Sequence, residues 1–432
     1  MTTQHLLARR DQLMGTGAPL FYSSPLHLVR GDGVYLYDPA GKRYVDMYNN
    51  VPCVGHANPF IVEAMTKAQS TLNVHSRYLH EGILNFIERL VGLHPKPEAG
   101  GPKIESVIVS CSGTEAIEVA LRMARFATGK NGIVCSNATY HGNSEAVSKL
   151  TRLVSGQNSS PEVRSFPFPE LYRPMQEGLS AADLCEAYLA ELAAAIKSLN
   201  DSGQGFAGLI LCSILANEGL PDIPGDFMAR AAAMAREAGG LVISDEVQAG
   251  YARSGKWWGY EVTGFTPDIV VTGKPMGNGL PLAATAASKE LVDGFRARTR
   301  YFNTFASSPL QAAVGHAVID YIERENLRDS VTTVGASLKA ALKQRAPGCP
   351  IIGDVRGVGL FIGVEIIKDD GQKTPDVERT VDIVDRLKEK GFLTSNAGIF
   401  RNVLKFRPPL VFKQEHADAF LVAFDEILAE IG

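Results

Sequence analysis

Two periods of hydrophobic residues alternate along the chain. Short apolar runs at Ile104–Ser110, Ile133–Ser136, Ala207–Cys212, Leu241–Ile243 and Ile269–Val271 read as buried strands. Between them, apolar residues recur every three or four positions. That spacing predicts helices over Ile61–Leu72, Gly82–Leu93, Glu115–Thr128, Ala181–Leu199 and Asp226–Ala238. The last of these stops at Gly239-Gly240. Strand–helix alternation of this kind predicts a mostly parallel sheet with helices on both faces, an α/β fold.

The pattern changes toward both ends. Residues 26–47 alternate as a small antiparallel meander, with runs at Leu26–Val29, Val34–Tyr37 and Tyr44–Asp46 and a turn at Asp38-Pro39-Ala40-Gly41. After residue 309 come a long helix (Leu310–Glu325), a glycine-punctuated hairpin (Ile351–Glu365), a helix (Val377–Lys390), a strand (Val403–Phe406) and a final helix over 414–430. This predicts a large α/β domain over 61–309 and a smaller α+β domain built from 1–60 and 310–432. The Pro- and Ser-rich stretch 154–180 reads as a long irregular excursion bordering a site.

Two strand ends carry chemistry. One apolar run ends at Ser244-Asp245-Glu246, the other at Thr272-Gly273-Lys274. In an open α/β sheet, ligands bind at the carboxyl ends of the strands. An acid and an amine there suit pyridoxal phosphate (PLP). The amine forms a Schiff base with its aldehyde, and the acid keeps its ring nitrogen protonated. The plainer alternative is a helix-capping Asp245 and a solvated Lys274. The turn Ser112-Gly113-Thr114 follows a strand and opens a helix, the local chemistry of a phosphate site and also of an ordinary cap. Another strand end carries Thr139-Tyr140-His141-Gly142, where an aromatic could stack on a flat ring.

Composition narrows the field. With 432 residues, 45% of them hydrophobic, the chain can bury a large core. Its net charge of −4 gives no basic surface for nucleic acid, and no apolar run is long enough to span a membrane. The six cysteines are scattered without paired spacing, which argues against a metal site or a disulfide framework and for a reducing cytoplasm. Residues 1–14 are polar and amphipathic, unlike a signal peptide. Gly353–Gly363 lacks the GxGxxG turn of a nicotinamide site.

Taken together, these motifs resemble the class III aminotransferases, PLP enzymes of fold type I. The residues that carry the resemblance are Ser112–Ala116, Tyr140–Gly142, Ser244–Gly250 with Arg253-Ser254-Gly255, Gly273–Gly279, Phe302–Phe305 and Pro408–Leu410. The resemblance implies a large domain with a seven-stranded sheet and transfer of an amino group from a primary amine or ω-amino compound to a keto acid. Lys274 then holds PLP and shuttles the proton, and Asp245 pairs with the pyridinium. Gln248 bonds the ring hydroxyl beside Val247. Tyr140 stacks on the ring, next to His141 and Gly142, and Ser112, Gly113 and Thr114 bind the phosphate. Thr304 is implied to reach the phosphate of a neighbouring subunit, so that a homodimer shares its sites.

Two positions depart from the family pattern. Cys212 stands where many members carry a glutamate, and Lys405 stands where the family places a carboxylate-binding arginine, with Arg407 two residues on. The segments Tyr48–His56, Ser76–His80 and Asn402–Lys405 resemble the ethanolamine-phosphate phospho-lyase branch, which eliminates rather than transaminates. Arg77, His80, Lys405 and Arg407 are therefore candidates for binding a substrate anion, and an ammonia- or phospho-lyase acting on a small amino-phosphate or amino-phosphonate is the alternative activity.

Overall fold

The computed structural model describes residues 3–97, 100–151 and 160–431. Three sheets organise them. The first joins the two ends of the chain: β1 (Arg30–Asp32), β2 (Tyr35–Tyr37) and β3 (Arg43–Asp46) form an antiparallel meander, and β3 pairs in parallel with a short strand at Phe392–Leu393. The expected strand at Leu26–Val29 does not form. Val29 is exposed and bonds through its N–H to the Tyr37 carbonyl, while Leu26 packs against Leu36, Tyr44 and Leu393.

The second sheet has seven strands: β4 (Ser106–Ser110), β5 (Gly132–Ser136), β6 (Val163–Phe166), β7 (Phe206–Cys212), β8 (Leu241–Asp245), β9 (Ile269–Thr272) and β10 (Ala283–Ala287). Their order is β4-β10-β9-β8-β7-β5-β6, with β10 alone antiparallel to its neighbours. This is the expected doubly wound α/β architecture. The carboxyl ends of β4, β5, β7, β8 and β9 therefore meet along one edge, bringing Ser110, Ser136, Cys212, Asp245 and Thr272 together.

Two strands differ from the sequence expectation. β10 reads Ala-Ala-Thr-Ala-Ala, with no β-branched run to announce it. Small side chains are needed there because the helix Gly113–Thr128 lies close, and Thr285 Oγ1 donates to the Ala116 carbonyl at 2.7 Å. β6 falls inside the expected irregular excursion, of which 154–159 lie outside the described residues. The described part does not line the cavity at the strand ends. It runs to the third sheet, where Arg173 pairs with Glu365.

That sheet comprises β11 (Ile352–Val358), β12 (Phe361–Ile366), β14 (Ser395–Ala397) and β15 (Val403–Phe406), all antiparallel, with β13 being the Phe392–Leu393 strand of the first sheet. Helix Leu327–Arg345 packs across its hairpin. The contact is close because position 335 is glycine. A Cβ on Gly335 would stand 2.1 Å from the Gly359 carbonyl oxygen. Arg253 joins the parts. It is fully buried, and its guanidinium donates to Asn50 Oδ1 (2.8 and 3.1 Å), to the Leu360 carbonyl (3.1 Å) and to the Pro408 carbonyl.

The close helix–hairpin contact makes a prediction. Gly335→Ala should gain at most about 1 kcal/mol of helix propensity yet lose about 3 kcal/mol to overpacking against backbone, so denaturant midpoints should fall. An unchanged or raised midpoint would show that the helix and hairpin do not pack this tightly.

Candidate active site

At the carboxyl edge of the large sheet lies a cavity of about 320 Å³. Its walls include Ser112, Gly113, Thr114, Tyr140, His141, Gly142, Val247 and Lys274. The sequence-predicted cofactor residues thus come together from four strand ends. Gln248 and Asp245 lie just behind this lining, and Thr304 does not reach it.

One wall is a helix N-terminus. Ser112 caps Gly113–Thr128 by accepting from the Glu115 N–H, and Glu115 Oε2 accepts from the N–H of Cys111, the residue before the cap, at 2.7 Å. These two bonds fix the first turn, whose N–H groups and dipole favour an anion. The entrance is kept open by absent side chains. A Cβ on Gly113 would come within 3.1 Å of the Val247 methyls, and one on Gly142 would meet Thr114 Oγ1 at 2.4 Å. Gly142 also has φ +143°, a conformation that suits glycine.

Asp245 ends β8 and is buried. Its Oδ1 accepts from the Val247 N–H at 3.0 Å, and its Oδ2 is 2.6 Å from His141 Nδ1. His141 Nε2 in turn meets Thr139 Oγ1 at 2.8 Å, so the ring and the carboxylate are both locked in place. Cys212 completes a close trio with them, the candidate ligand atoms lying within 4.8 Å of one another. Burial and the neighbouring Asp245 and Glu218 push its thiol well above the usual range, so it stays a neutral S–H. Lys274 opens a short 3₁₀ turn after β9. Its side chain is accessible through the cavity mouth but otherwise surrounded by protein. Desolvation first, and Arg407 second, lower its pKa, while Asp245 opposes them. A lowered amine pKa favours the neutral, nucleophilic form.

This donor set fits PLP. An anion-binding helix start, a buried acid and a nucleophilic amine correspond to the cofactor's phosphate, ring nitrogen and aldehyde. Among the described residues, the arrangement is found at this one edge of the sheet.

Beside the cavity, Lys405 and Arg407 are both buried and both reach Gln248 Oε1. Lys405 Nζ also donates to the Ala216 carbonyl at 3.1 Å, and Arg407 Nε to the Tyr48 carbonyl at 3.0 Å. Burial and the neighbouring Arg407 and Lys274 hold the Lys405 pKa well below the lysine range. Arg77 and His80 are placed elsewhere in the single chain. Arg77 stacks over the Phe302 ring at 4.0 Å in a separate cleft, and His80 lines a third groove. The expected grouping of Arg77 with Lys405 is therefore not made within one chain. Thr304 is likewise exposed on the surface beside that cleft.

The loop after β7 also contributes residues that sequence reasoning missed. Asn217 bridges Gln248 and Tyr140. Glu218 is buried, accepts from Ser136 Oγ at 2.6 Å, and has its pKa raised by desolvation. Their signal was available: two polar residues, followed by glycine, directly after a long apolar run.

Comparison with known proteins agrees with this geometry. The family model "Aminotransferase class-III" matches residues 21–428. The "alanine–glyoxylate aminotransferase 2-like" protein of Drosophila melanogaster is 33% identical, covering 98% of this chain and 86% of its own length. The "ethanolamine-phosphate phospho-lyase homolog 1" of Caenorhabditis elegans is 32% identical over 98% of this chain and 93% of its own. A solved phospholyase from Arthrobacter, in complex with phosphoethanolamine, superposes with a TM-score of 0.94 at 39% identity, covering 99% of this chain and 100% of that one. The chain belongs to the class III aminotransferase family and is a PLP-dependent enzyme of fold type I.

Proposed function

We propose that the enzyme transfers an amino group from a primary amine or ω-amino compound to a keto acid, with Lys274 as the residue that bonds the cofactor. The observation that carries this reading is the convergence of Lys274, the Asp245–His141 pair and the helix start at Gly113 on one cavity. PLP, when bound, supplies an aldehyde carbon for the substrate amine and a ring that draws electrons from the substrate α-carbon. The protein's own residues do the rest. Asp245, oriented by His141, holds a proton at the ring nitrogen. Lys274 Nζ, its pKa lowered, takes and returns the substrate proton. Ser112, Gly113 and Thr114 hold the phosphate, Tyr140 covers the ring, and Val247 fills the space facing Gly113.

A homodimer fits the surface of the single chain. Leu79 is 99% exposed and Phe305 77%, and both border the segments that carry Arg77 and Thr304. A second copy covering them would bring Thr304 to its partner's phosphate site and Arg77 near its partner's substrate. The domain division at 61–309 against 1–60 with 310–432 is supported by the pairing of β3 with Phe392–Leu393. A cytoplasmic location is supported by the six free cysteines.

A second reading, elimination from a small amino-phosphate, is favoured by a specific feature. Two buried basic side chains, Lys405 and Arg407, sit beside the cavity with no salt-bridged carboxylate among the described residues, and a 39% identical relative is a phospholyase bound to phosphoethanolamine.

The two readings separate in a half-reaction. Mixed with the amine alone, the holoenzyme should lose its visible cofactor absorbance once, stoichiometrically, and release no ammonia. Continuous release of ammonia and phosphate from phosphoethanolamine would replace transamination by elimination. Asp245→Asn should retain cofactor but lose about 10²–10⁴-fold in kcat, the range for a positioned acid–base group; a normal kcat would remove the role assigned to Asp245. Lys405→Ala should raise KM for anionic amines by about 10–100-fold, the worth of a charged hydrogen bond of about 1.5–3 kcal/mol. Neutral amines should be little affected, and equal effects on both classes would contradict an anion site at Lys405.

A further inference from the structure

The loop after β7 is pinned by the third sheet. Lys405 Nζ on β15 donates to the Ala216 carbonyl at 3.1 Å, the Gly398 N–H just past β14 to the Asn217 carbonyl at 3.2 Å, and Arg356 Nε on β11 to the Gly219 carbonyl at 2.9 Å. The Leu220 N–H closes the loop on the Leu215 carbonyl at 2.9 Å. Contact with the sheet is close. Gly219 has φ +100°, and a Cβ there would stand 3.0 Å from a Val403 methyl. With the carbonyls of Ala216, Asn217 and Gly219 each taken by a different part of the sheet, the loop backbone has little freedom.

From this fixed backbone the Asn217 side chain reaches back toward the cavity. Its Nδ2 donates to the Tyr140 carbonyl at 3.3 Å, and its Oδ1 accepts from Gln248 Nε2 at 3.3 Å. A backbone carbonyl only accepts, so the Asn217 oxygen must turn toward Gln248. On the far side, Gln248 Oε1 accepts from Arg407 Nη1 and Lys405 Nζ, both of which only donate. All the partners therefore agree on which way the Gln248 amide faces. Its NH₂ carries two hydrogens. Asn217 takes one, and the other has no acceptor among the described residues.

We infer that Asn217 is a positioning residue for the cofactor: it holds the Gln248 amide so that the uncommitted N–H is left for the cofactor's ring hydroxyl, and it ties that amide to the backbone of Tyr140. This rests on the reading that Gln248 meets the ring hydroxyl and Tyr140 covers the ring. Asn217 does not itself line the cavity, so it acts through these two neighbours. Gln248 and Tyr140 both follow strands of the large sheet, whereas the Asn217 backbone is held by the third sheet. The third sheet thereby sets the spacing of two walls of the cofactor cleft. Ordering the Gln248 side chain in advance also removes part of the entropy cost of binding.

The test is a double-mutant cycle on the holoenzyme, read by the pH midpoint of the bound cofactor's visible absorbance and by the cofactor dissociation constant. A donor at the ring oxygen stabilises its charge against the neighbouring proton, so losing the donor raises the midpoint. Gln248→Ala should raise it by about half a pH unit or more, the worth of one hydrogen bond. Asn217→Leu fills the same space without either bond. It should shift the midpoint in the same direction and weaken cofactor binding by about three- to tenfold. In the Gln248→Ala background, Asn217→Leu should add nothing to the midpoint. Asn217→Ala should match Asn217→Leu, and replaces it if the larger side chain prevents folding. An unmoved midpoint in both Asn217 variants, even with a lowered melting temperature, would reduce Asn217 to a structural role and overturn the inference. Additive shifts in the double variant would overturn it as well. An unmoved midpoint in Gln248→Ala would instead overturn the reading that Gln248 meets the ring hydroxyl, and the inference with it.

Discussion

The structure depends on how it tolerates buried positive charge. Arg253, Lys405 and Arg407 are buried where the large sheet meets the third sheet, and Lys274 projects into the cavity beside them. The charges act on one another. Burial is the larger cause of the lowered pKa of Lys274, Lys405 and Arg253, and Arg407 adds to it in each. Such a cluster would be costly if left bare. It is held instead by carbonyl oxygens from Tyr48, Ala216, Leu360 and Pro408 and by the side chains of Asn50 and Gln248. Those acceptors come from distant parts of the chain, so satisfying the cations also joins the N-terminal segment, the large sheet and the small sheet. The charge left over lies beside the cavity, where, after burial, it lowers the Lys274 pKa.

Fold and chemistry are linked through the ends of the strands. Six parallel strands deliver Asp245, Cys212 and Lys274 to one edge, and the first helix after β4 delivers its N-terminus there. The single antiparallel strand, β10, lies between β4 and β9 and lets the chain return without blocking that edge. The anion-binding cradle, the acid and the amine are each fixed to rigid elements. Hydrogen bonds such as Asp245 to His141 and His141 to Thr139 then fix the side chains at this edge.

The parts of this arrangement with strong local signals were legible in the sequence. The apolar runs ending in Asp245 and near Lys274 marked both the strands and the polar side chains that converge at the cavity, and Ser112-Gly113-Thr114 marked the helix start. β10 was not legible because its five residues are small, which reflects tight packing against a helix that comes from far away in sequence. β6 was hidden in a Pro-rich stretch. Asn217 and Glu218 were missed because their partners, Gln248, Tyr140 and Ser136, are distant in the chain and come near only through the fold. Arg77 illustrates the converse. Its residue type suggested a substrate contact, but within one chain it lies against Phe302 in a separate cleft, away from the cavity at the strand ends. Residue type announced which chemistry was available, and the tertiary fold decided which groups share a site.

The central claim is that Lys274 is the residue joined to the cofactor. It is tested most directly by reducing the holoenzyme with borohydride, digesting it, and locating the pyridoxyl mass by peptide mapping. The account predicts one labelled lysine, in the peptide that contains Gly273-Lys274-Pro275. A label on any other lysine, or none at full cofactor loading, would contradict it.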